Sequence, residues 1–355
     1  MLKVLSIFGT RPEAVKMAPV VKKLAASSQV ESIVCVTAQH RQMLDQVLHV
    51  FDIHPDVDLD LMEPDQSLAK LTSEIFIHLD RVLRDYNPDW LLVQGDTTTV
   101  MTAAILGYYH HIRVGHVEAG LRTGDKWQPF PEEINRRVTG VVADLHFAPT
   151  EHSRQNLLRE GLEDWRIIVT GNPVVDALHM ILQQELPHEV QQLVEEHDIG
   201  PDGKKLVLVT AHRRENFGEP LESICRSLRT LAGLYEDRTH FIYPVHLNPN
   251  VREPVYRLLQ DVNNITLLEP LDYPSMVHLI QKASLVLTDS GGIQEEATAL
   301  NTPTLVLRKV TERPEGVQAG VLKLVGTDSA IIIREARRLL DDPEAYRSMM
   351  TGENP

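Results

Sequence analysis

Acidic residues follow several apolar runs in the first half of the chain, where their side chains could transfer protons. Asp96 comes after LLVQG, Glu118 after VGHV, and Glu132 and Glu133 after PFP. Helix capping alone would explain Asp96, and a salt bridge alone would explain Glu118. Acidic groups at successive strand ends instead favour general acid–base chemistry, which needs carboxyl groups with tuned pKa values.

The segment TDSGGIQEEA has the composition of a phosphate-binding turn. Ser290, Gly291 and Gly292 follow an apolar run and open a predicted helix, whose backbone N–H groups could approach a phosphate closely. Glu295 and Glu296 come next, where a carboxylate either suits the helix dipole or accepts a hydrogen bond from a ribose. Ordinary capping competes well for either glutamate but poorly for Ser-Gly-Gly.

Other cationic and histidine side chains could bind an anion after further apolar runs. Arg11 follows the first run, with Lys16 one helical turn later, although a solvated turn explains this pattern equally well. His212 and Arg213 follow KKLVLVTA, where the imidazole could exchange a proton and the guanidinium could hold a phosphate. His246 ends another run and either faces a ligand or caps a loop.

These residues must be positioned by alternating strands and helices. The first half predicts strands at 3–8, 31–38, 89–95, 113–119 and 144–150 and helices at 12–26 and 67–85. The second half predicts strands at 204–212, 240–246, 265–270, 284–292 and 302–308 and helices at 221–235 and 273–283. This α/β alternation indicates parallel sheets with right-handed crossovers. We predict two Rossmann-like, doubly wound domains, residues 1–172 and 173–355, facing a central cleft at the carboxyl ends of their strands.

Composition excludes several classes of function. The 355 residues contain 35 Lys plus Arg against 50 Asp plus Glu, a formal charge of −15 that argues against a nucleic-acid binder. No apolar run approaches the ~20 residues of a membrane span, and no signal peptide is evident, so we expect a cytoplasmic protein. Cys35 and Cys225 form no metal-binding or disulfide pattern. GxGxxG and GxxxxGK[ST] motifs are missing, and we expect neither a metal nor a cofactor.

Segments along nearly the whole chain resemble, in order, the bacterial non-hydrolysing UDP-N-acetylglucosamine 2-epimerases. They are FGTRPEAVKMAP, VTAQHRQMLDQVL, GDTTT, GHVEAGLRTGD, PFPEEINRR, APTEHSRQNLLREG, TGNPVVDAL, TAHRRENFG, YPVHLNPNVREPV, LTDSGGIQEEA and ERPEGVQAG. The resemblance implies a GT-B-like fold and a homodimer with contacts in the first domain. It also implies reversible conversion of UDP-GlcNAc to UDP-ManNAc, by elimination of UDP to 2-acetamidoglucal and re-addition, for cell-envelope polysaccharide synthesis. The family usually continues beyond TGENP into a final helix, which we expect to be absent from this chain.

The resemblance also implies roles for individual residues. The catalytic positions are Asp96, Glu118, Glu132 and His212, and the sequence does not tell which carboxylate handles the C2 proton. The positions that bind UDP are Arg11, Lys16, Arg213, His246, Ser290, Gly291, Gly292 and, at the ribose, Glu296. A second, activating UDP-GlcNAc site would use Gln39, His40, Gln42, Gln66, Arg213 and His246.

The sequence is also compatible with three other functions. A hydrolysing epimerase would share the fold and the elimination step but release ManNAc and UDP. A glycosyltransferase of the same fold fits the closely spaced acidic positions less well. A non-catalytic UDP-sugar sensor would bind the substrate without exchanging its C2 hydrogen.

Overall fold

The computed structural model describes residues 1–37, 41–61, 66–311 and 314–350, apart from the side chains of residues 42, 314 and 315. The chain forms two compact units, Met1–Ala177 and Leu178–Pro355. No helix within the described ranges is both long and apolar enough to cross a membrane.

The first unit is built on a seven-stranded sheet. Its elements are β1 Leu2–Phe8, α1 Arg11–Ala25, β2 Val30–Val36, α2 Arg41–Val50, β3 Val57–Asp58, α3 Leu68–Tyr86, β4 Trp90–Gln94, α4 Thr98–Tyr109, β5 Arg113–Val117, α5 Glu132–Val142, β6 Leu145–Ala148, α6 Glu151–Arg159 and β7 Ile167–Val169. All strand pairs are parallel, in the order β3-β2-β1-β4-β5-β6-β7. The order reverses between β1 and β4, so this is the point where an open α/β sheet offers a ligand crevice.

The second unit repeats this plan with six strands. After α7 Pro173–Leu182, its elements are α8 His188–Glu196, β8 Lys205–Thr210, α9 Glu219–Leu234, β9 Thr239–Pro244, α10 Pro249–Leu259, β10 Ile265–Leu268, α11 Tyr273–Lys282, β11 Ala283–Thr288, α12 Gly291–Ala299, β12 Thr304–Val306, α13 Pro314–Gln318, β13 Leu322–Leu324, α14 Ser329–Asp341 and α15 Pro343–Met350. The parallel order is β10-β9-β8-β11-β12-β13, with the reversal between β8 and β11. The predicted pair of Rossmann-like, doubly wound α/β domains is confirmed.

Helices cover both faces of the second sheet. Val207 and Val209 of β8 belong to one buried cluster with α9, α10 and α14, whereas Leu206 and Leu208 belong to another with α8, α11 and α12. Consecutive strand residues point to opposite faces, and therefore a strand buried on both faces is apolar throughout. This explains why the strands read as short continuous apolar runs.

The boundary between the units lies inside a helix. The sequence places the boundary after residue 172, where α7 begins, but the compact units divide at Ala177, within α7. Val174 and Ala177 are buried, as are Leu178 and Ile181 further along the helix. Sequence composition marks the turn before α7 and gives no signal for a division within a continuous helix.

Candidate functional site

Two acidic residues of the first unit lie at the carboxyl ends of adjacent strands, each at or directly after a residue with a positive φ angle. Asp96 follows β4 after Gly95, whose φ is +81°, and Glu118 follows β5 with a φ of +63°. A left-handed conformation at a residue other than glycine costs about 1–3 kcal/mol and persists where the surroundings enforce it. The fold therefore fixes the direction of the Glu118 side chain.

The Glu118 carboxylate is enclosed by hydrogen-bond donors. Glu118 is 7% exposed, and it accepts hydrogen bonds from Lys16 Nζ, Gln94 Nε2 and, at 3.4 Å, Asn172 Nδ2. The sequence predicts a phosphate contact for Lys16, and in the structure its ammonium group pairs with this carboxylate. Both Glu118 oxygens are engaged, so this group is held in place more firmly than the other predicted acids.

Asp96 has a different environment. Its side chain is 31% exposed, and Oδ2 lies 2.7 Å from Arg136 Nη2, while its backbone oxygen accepts a hydrogen bond from Asn135 Nδ2 at 2.9 Å. Burial, together with the negative charges of Glu118 and Glu132, raises the pKa of Asp96 to about 6 against the opposing effect of Arg136. A carboxyl group with such a pKa can gain and lose a proton near neutral pH.

The two glutamates at the start of α5 differ in their contacts. Glu133 is fully buried and accepts hydrogen bonds from the backbone N–H groups of Thr123 and Gly124 at 3.2 and 3.3 Å, which anchors the preceding loop. Glu132 is half-buried, and its Oε2 has no hydrogen-bond partner within the described part of the chain. Glu132 therefore keeps one buried carboxylate oxygen that receives no hydrogen bond from the described residues.

The loops after β1 and β4 are joined by a buried carboxylate. Glu13 Oε2 accepts hydrogen bonds from the backbone N–H groups of Gly9 and Thr10 at 2.9 and 2.7 Å, and Oε1 accepts one from the Thr97 hydroxyl at 2.7 Å. Burial raises the pKa of Glu13, an effect that these hydrogen bonds oppose. Arg11 lies half-buried in this loop, at the start of α1.

A buried histidine supports the backbone before Asp96. His116 Nε2 donates a hydrogen bond to the Gly95 carbonyl oxygen at 2.7 Å. Burial lowers the pKa of His116 to about 4, so the imidazole is neutral at pH 7 and carries its proton on Nε2. This contact fixes the peptide group that leads into the catalytic candidate.

In the second unit, Asp289 organises the loop after β8. It is fully buried at the end of β11 and accepts hydrogen bonds from the backbone N–H groups of His212 at 3.0 and 3.1 Å and Arg213 at 2.9 Å. Asn216 Nδ2 donates a further hydrogen bond at 2.9 Å. Asp289 is not among the predicted site residues, although it directly follows an apolar run, which is the signal that marks Asp96.

His212 lies beside His246, with the two rings nearly parallel and their centroids 5.5 Å apart. Burial lowers the pKa of His212, and Arg213 and His246 lower it further against the attraction of Asp289. His246 itself is exposed, and its Nδ1 accepts a hydrogen bond from the backbone N–H of Asn248 at 3.1 Å. His212 is consequently held as a neutral imidazole.

The predicted phosphate turn forms the N-terminus of α12. Ser290 is the N-cap residue without a capping hydrogen bond from its side chain, and its N–H donates to the Thr288 hydroxyl at 2.9 Å. A Cβ atom added to Gly292 would meet no atom within 4 Å, so protein packing does not require glycine there. Gly291 and Glu296 are buried in the same helix. The turn thus offers open space beside free helix N–H groups.

The predicted activating site is only partly covered by the structure. Gln39 and His40 lie outside the described residues, as does the side chain of Gln42. Gln66 is half-buried in the first unit and donates a hydrogen bond to the Leu61 carbonyl oxygen at 3.2 Å.

Arg213 and His246 of that predicted site belong to the second unit. Arg213 is half-buried, and its Nε has no acceptor within the described ranges. Nowhere in these ranges do three or more His, Cys, Asp or Glu residues lie close enough together to hold a metal ion.

Comparison with known proteins identifies the family. The family model described as UDP-N-acetylglucosamine 2-epimerase matches residues 22–355. The UDP-N-acetylglucosamine 2-epimerase of Salmonella typhimurium is 52% identical over 356 residues, which cover 100% of this chain and 94% of that protein. The structure is similar to that of the Neisseria meningitidis UDP-GlcNAc 2-epimerase bound to UDP-GlcNAc, with a TM-score of 0.92, 49% identity and coverage of 100% and 95% of the two chains.

A more distant structure shows the same relationship. The UDP-GlcNAc 2-epimerase of Methanocaldococcus jannaschii, in complex with UDP-GlcNAc and UDP, has a TM-score of 0.83 and 32% identity over 100% of this chain and 95% of that one. These similarities extend over the whole chain and agree with the motifs in the sequence. The chain belongs to the UDP-N-acetylglucosamine 2-epimerase family.

Proposed function

We propose that this chain interconverts UDP-GlcNAc and UDP-ManNAc by eliminating UDP to give 2-acetamidoglucal and then adding UDP back. The observation that carries the proposal is Asp96, a partly exposed carboxyl group whose pKa is raised to about 6 beside two further carboxylates. The names of the relatives, and the UDP-GlcNAc in the Neisseria and Methanocaldococcus structures, support this substrate.

The chemistry explains why such a carboxyl group is needed. The C2–H of the sugar is not adjacent to a carbonyl group and is a weak acid. As the C1–O bond breaks, positive charge develops at C1 and makes the C2 proton more acidic. The proton passes to a carboxylate, the C1–O electron pair leaves with UDP, and a C1=C2 double bond forms. Re-addition of UDP to C1 returns a proton to the opposite face of C2.

The contacts of the three acids suggest a division of roles. We assign the transfer of the C2 proton to Asp96, because its pKa suits both proton uptake and release. Inversion requires a second group on the other face, and our candidate is Glu132, whose Oε2 has no partner among the residues that the structure describes. Glu118 is fully engaged by Lys16 and its other donors, and we assign it an orienting and charge-stabilising role.

The UDP-binding role is assigned to the loops of the second unit, with Arg11 from the first. The Ser290-Gly291-Gly292 turn offers N–H groups for the diphosphate, and Glu296 is assigned to the ribose. Arg213 and His246 adjoin this loop cluster through His212. A neutral His212 can donate a hydrogen bond to the departing phosphate oxygen, and it carries no charge to be neutralised when UDP leaves.

Solvent exchange tests the proposal directly. UDP-GlcNAc incubated with the protein in D2O should yield UDP-ManNAc, with deuterium at C2 of both nucleotide sugars by NMR. Asp96→Asn should abolish exchange while retaining UDP binding, whereas Glu151→Gln, an exposed carboxylate of α6, serves as a matched control. Free ManNAc and UDP would indicate the hydrolysing reaction, and substrate binding without exchange would indicate a sensor.

We also propose that the chain acts as a cytoplasmic homodimer activated by UDP-GlcNAc at a second site. That site would comprise Gln39, His40, Gln42, Gln66, Arg213 and His246. Turnover of UDP-ManNAc with and without trace UDP-GlcNAc tests the activation, and identical initial rates would remove it. Sedimentation of the purified protein tests the dimer.

A further inference from the structure

The N-terminal half of α5 contacts Asp96 twice. Asn135 Nδ2 donates to the backbone oxygen of Asp96 at 2.9 Å, and Arg136 Nη2 lies 2.7 Å from its Oδ2. Asn135 and Arg136 are 3% and 6% exposed, so both donor residues are buried. One helix therefore holds both the main chain and the carboxylate of Asp96.

The charged groups around Asp96 pull its protonation in opposite directions. Burial and the carboxylates of Glu118, after β5, and Glu132, on α5, favour the neutral acid. Arg136 of α5 and Lys16 of α1 favour the carboxylate, and the effect of Arg136 is the larger. Arg136 thus prevents a still higher pKa for Asp96, at which the group could no longer accept a proton near neutral pH.

We propose that Arg136 is a positioning residue that, together with Asn135, holds Asp96 in the orientation and charge state that proton transfer requires. This inference rests on the proposed function, because it assumes that Asp96 exchanges the C2 proton. It adds a group that does not touch the substrate and acts through Asp96. Glu132, the proposed partner acid, lies one turn before Arg136 on the same side of α5.

The rival explanation is that Arg136 binds the substrate diphosphate itself. Its guanidinium is already occupied on two sides: Nη2 pairs with Asp96, and Nε lies 3.4 Å from the Glu132 carbonyl oxygen and 3.7 Å from the Glu133 carboxylate. A buried and engaged guanidinium is a poor ligand for an incoming phosphate. Direct binding would change KM and UDP affinity, whereas positioning changes kcat and its dependence on pH.

The experiment compares Arg136→Gln with a matched control on the same helix. Arg137→Gln removes the same charge, but the Arg137 side chain is 47% exposed and pairs with Glu133 at 3.5 Å and Glu160 at 3.8 Å. We would measure kcat, KM and UDP affinity from pH 5 to 9. In Arg136→Gln the acidic limb of kcat/KM should move up by about 1–3 pH units, because a paired cation lowers a carboxyl pKa by about that amount.

Further measurements on Arg136 variants test the positioning role against direct binding of the substrate. KM and UDP affinity should stay within about twofold in Arg136→Gln, activity should recover partly at pH 9, and Arg136→Lys should return the limb towards wild type. An unchanged limb, or a raised KM at unchanged kcat, would overturn the inference. If the Gln variant does not fold, Arg136→Lys decides, because it should lower kcat at constant KM, and an unchanged kcat refutes positioning.

Asp96→Asn, measured in parallel, distinguishes the positioning role of Arg136 from the proton transfer assigned to Asp96. If this variant is inactive while Arg136→Gln behaves like wild type, only the positioning role falls. If Asp96→Asn retains full turnover, the assigned proton transfer falls as well.

Discussion

Removal of the Lys16 charge should destabilise the first unit strongly. The side chains of Lys16 and Glu118 are only 11% and 5% exposed, so Lys16→Met leaves a buried carboxylate without its cation. Breaking a buried ion pair by removing one partner costs about 3–5 kcal/mol. Gln94 and Asn172 still donate to Glu118, and we therefore expect the lower end, about 3 kcal/mol, in the free energy of unfolding.

A matched control lies on the same helix. Lys22 of α1 pairs with Asp52 at 3.6 Å, but these side chains are 38% and 80% exposed. Lys22→Met should therefore cost no more than about 1 kcal/mol, as is usual for exposed pairs. The double variant Lys16→Met with Glu118→Gln removes both charges of this ion pair. It should therefore regain most of the lost free energy of unfolding.

Tryptophan fluorescence during urea unfolding measures this effect in the first unit. All three tryptophans, Trp90, Trp127 and Trp165, belong to that unit, so the signal excludes the second one. Linear extrapolation gives the free energy in water. The reasoning is refuted if Lys16→Met costs no more than the control, or if the double variant is as unstable as the single one.

Three further predictions concern single residues. Burial lowers the pKa of His116 from 6.5 to about 4, a difference of 6.5 − 4 = 2.5. The free energy of unfolding should therefore fall by about 3 kcal/mol as the pH drops from 6.5 to 4. Urea unfolding at a series of acidic pH values measures this decrease, which should be smaller in His116→Gln. Gly292→Ala should weaken UDP binding about tenfold by calorimetry without loss of stability, whereas Gly233→Ala in α9, which also points its Cβ into open space, should leave UDP binding unchanged and should not lower stability. Asp289→Ala leaves the backbone N–H groups of His212 and Arg213 without this acceptor, and it should lower the hydrogen-exchange protection of residues 212–216 by at least about 2 kcal/mol; unchanged protection would contradict its anchoring role.

The sequence predicts the long elements well and the sheet edges poorly. Predicted helices 12–26 and 67–85 correspond to α1 Arg11–Ala25 and α3 Leu68–Tyr86, because each has an apolar stripe and a capping residue. Missed strands β3, β7 and β13 have two or three residues each and all lie at sheet edges. A strand of two or three residues is too short to show an apolar run or an alternation of apolar and polar residues.

The candidate site was predictable in its location more than in its internal contacts. An acid directly after an apolar run identifies the carboxyl end of a strand, and the structure places Asp96 and Glu118 at such ends. The pairing of Asp96 with Arg136 depends on how α5 packs beside the β4 loop, and residues 40 positions apart carry no local signal for it. The pairing of Lys16 with Glu118 is equally hidden, because a lysine one turn into a helix carries no local signal for a buried carboxylate 102 residues later.

The structural carboxylates of this fold and those proposed to transfer protons occupy equivalent places, which explains why sequence alone cannot separate them. Each sheet reverses its strand order at one point, and a buried acid joins the two loops there: Glu13 ties the loop after β1 to Thr97, and Asp289 ties the loop after β8 to β11. Both accept backbone N–H groups, so their negative charge serves to order a loop. Asp96 lies in the loop after β4, directly before Thr97, and its carboxylate is partly exposed, with a pKa of about 6. The environment that the fold builds around each acid therefore decides whether it orders a loop or exchanges a proton.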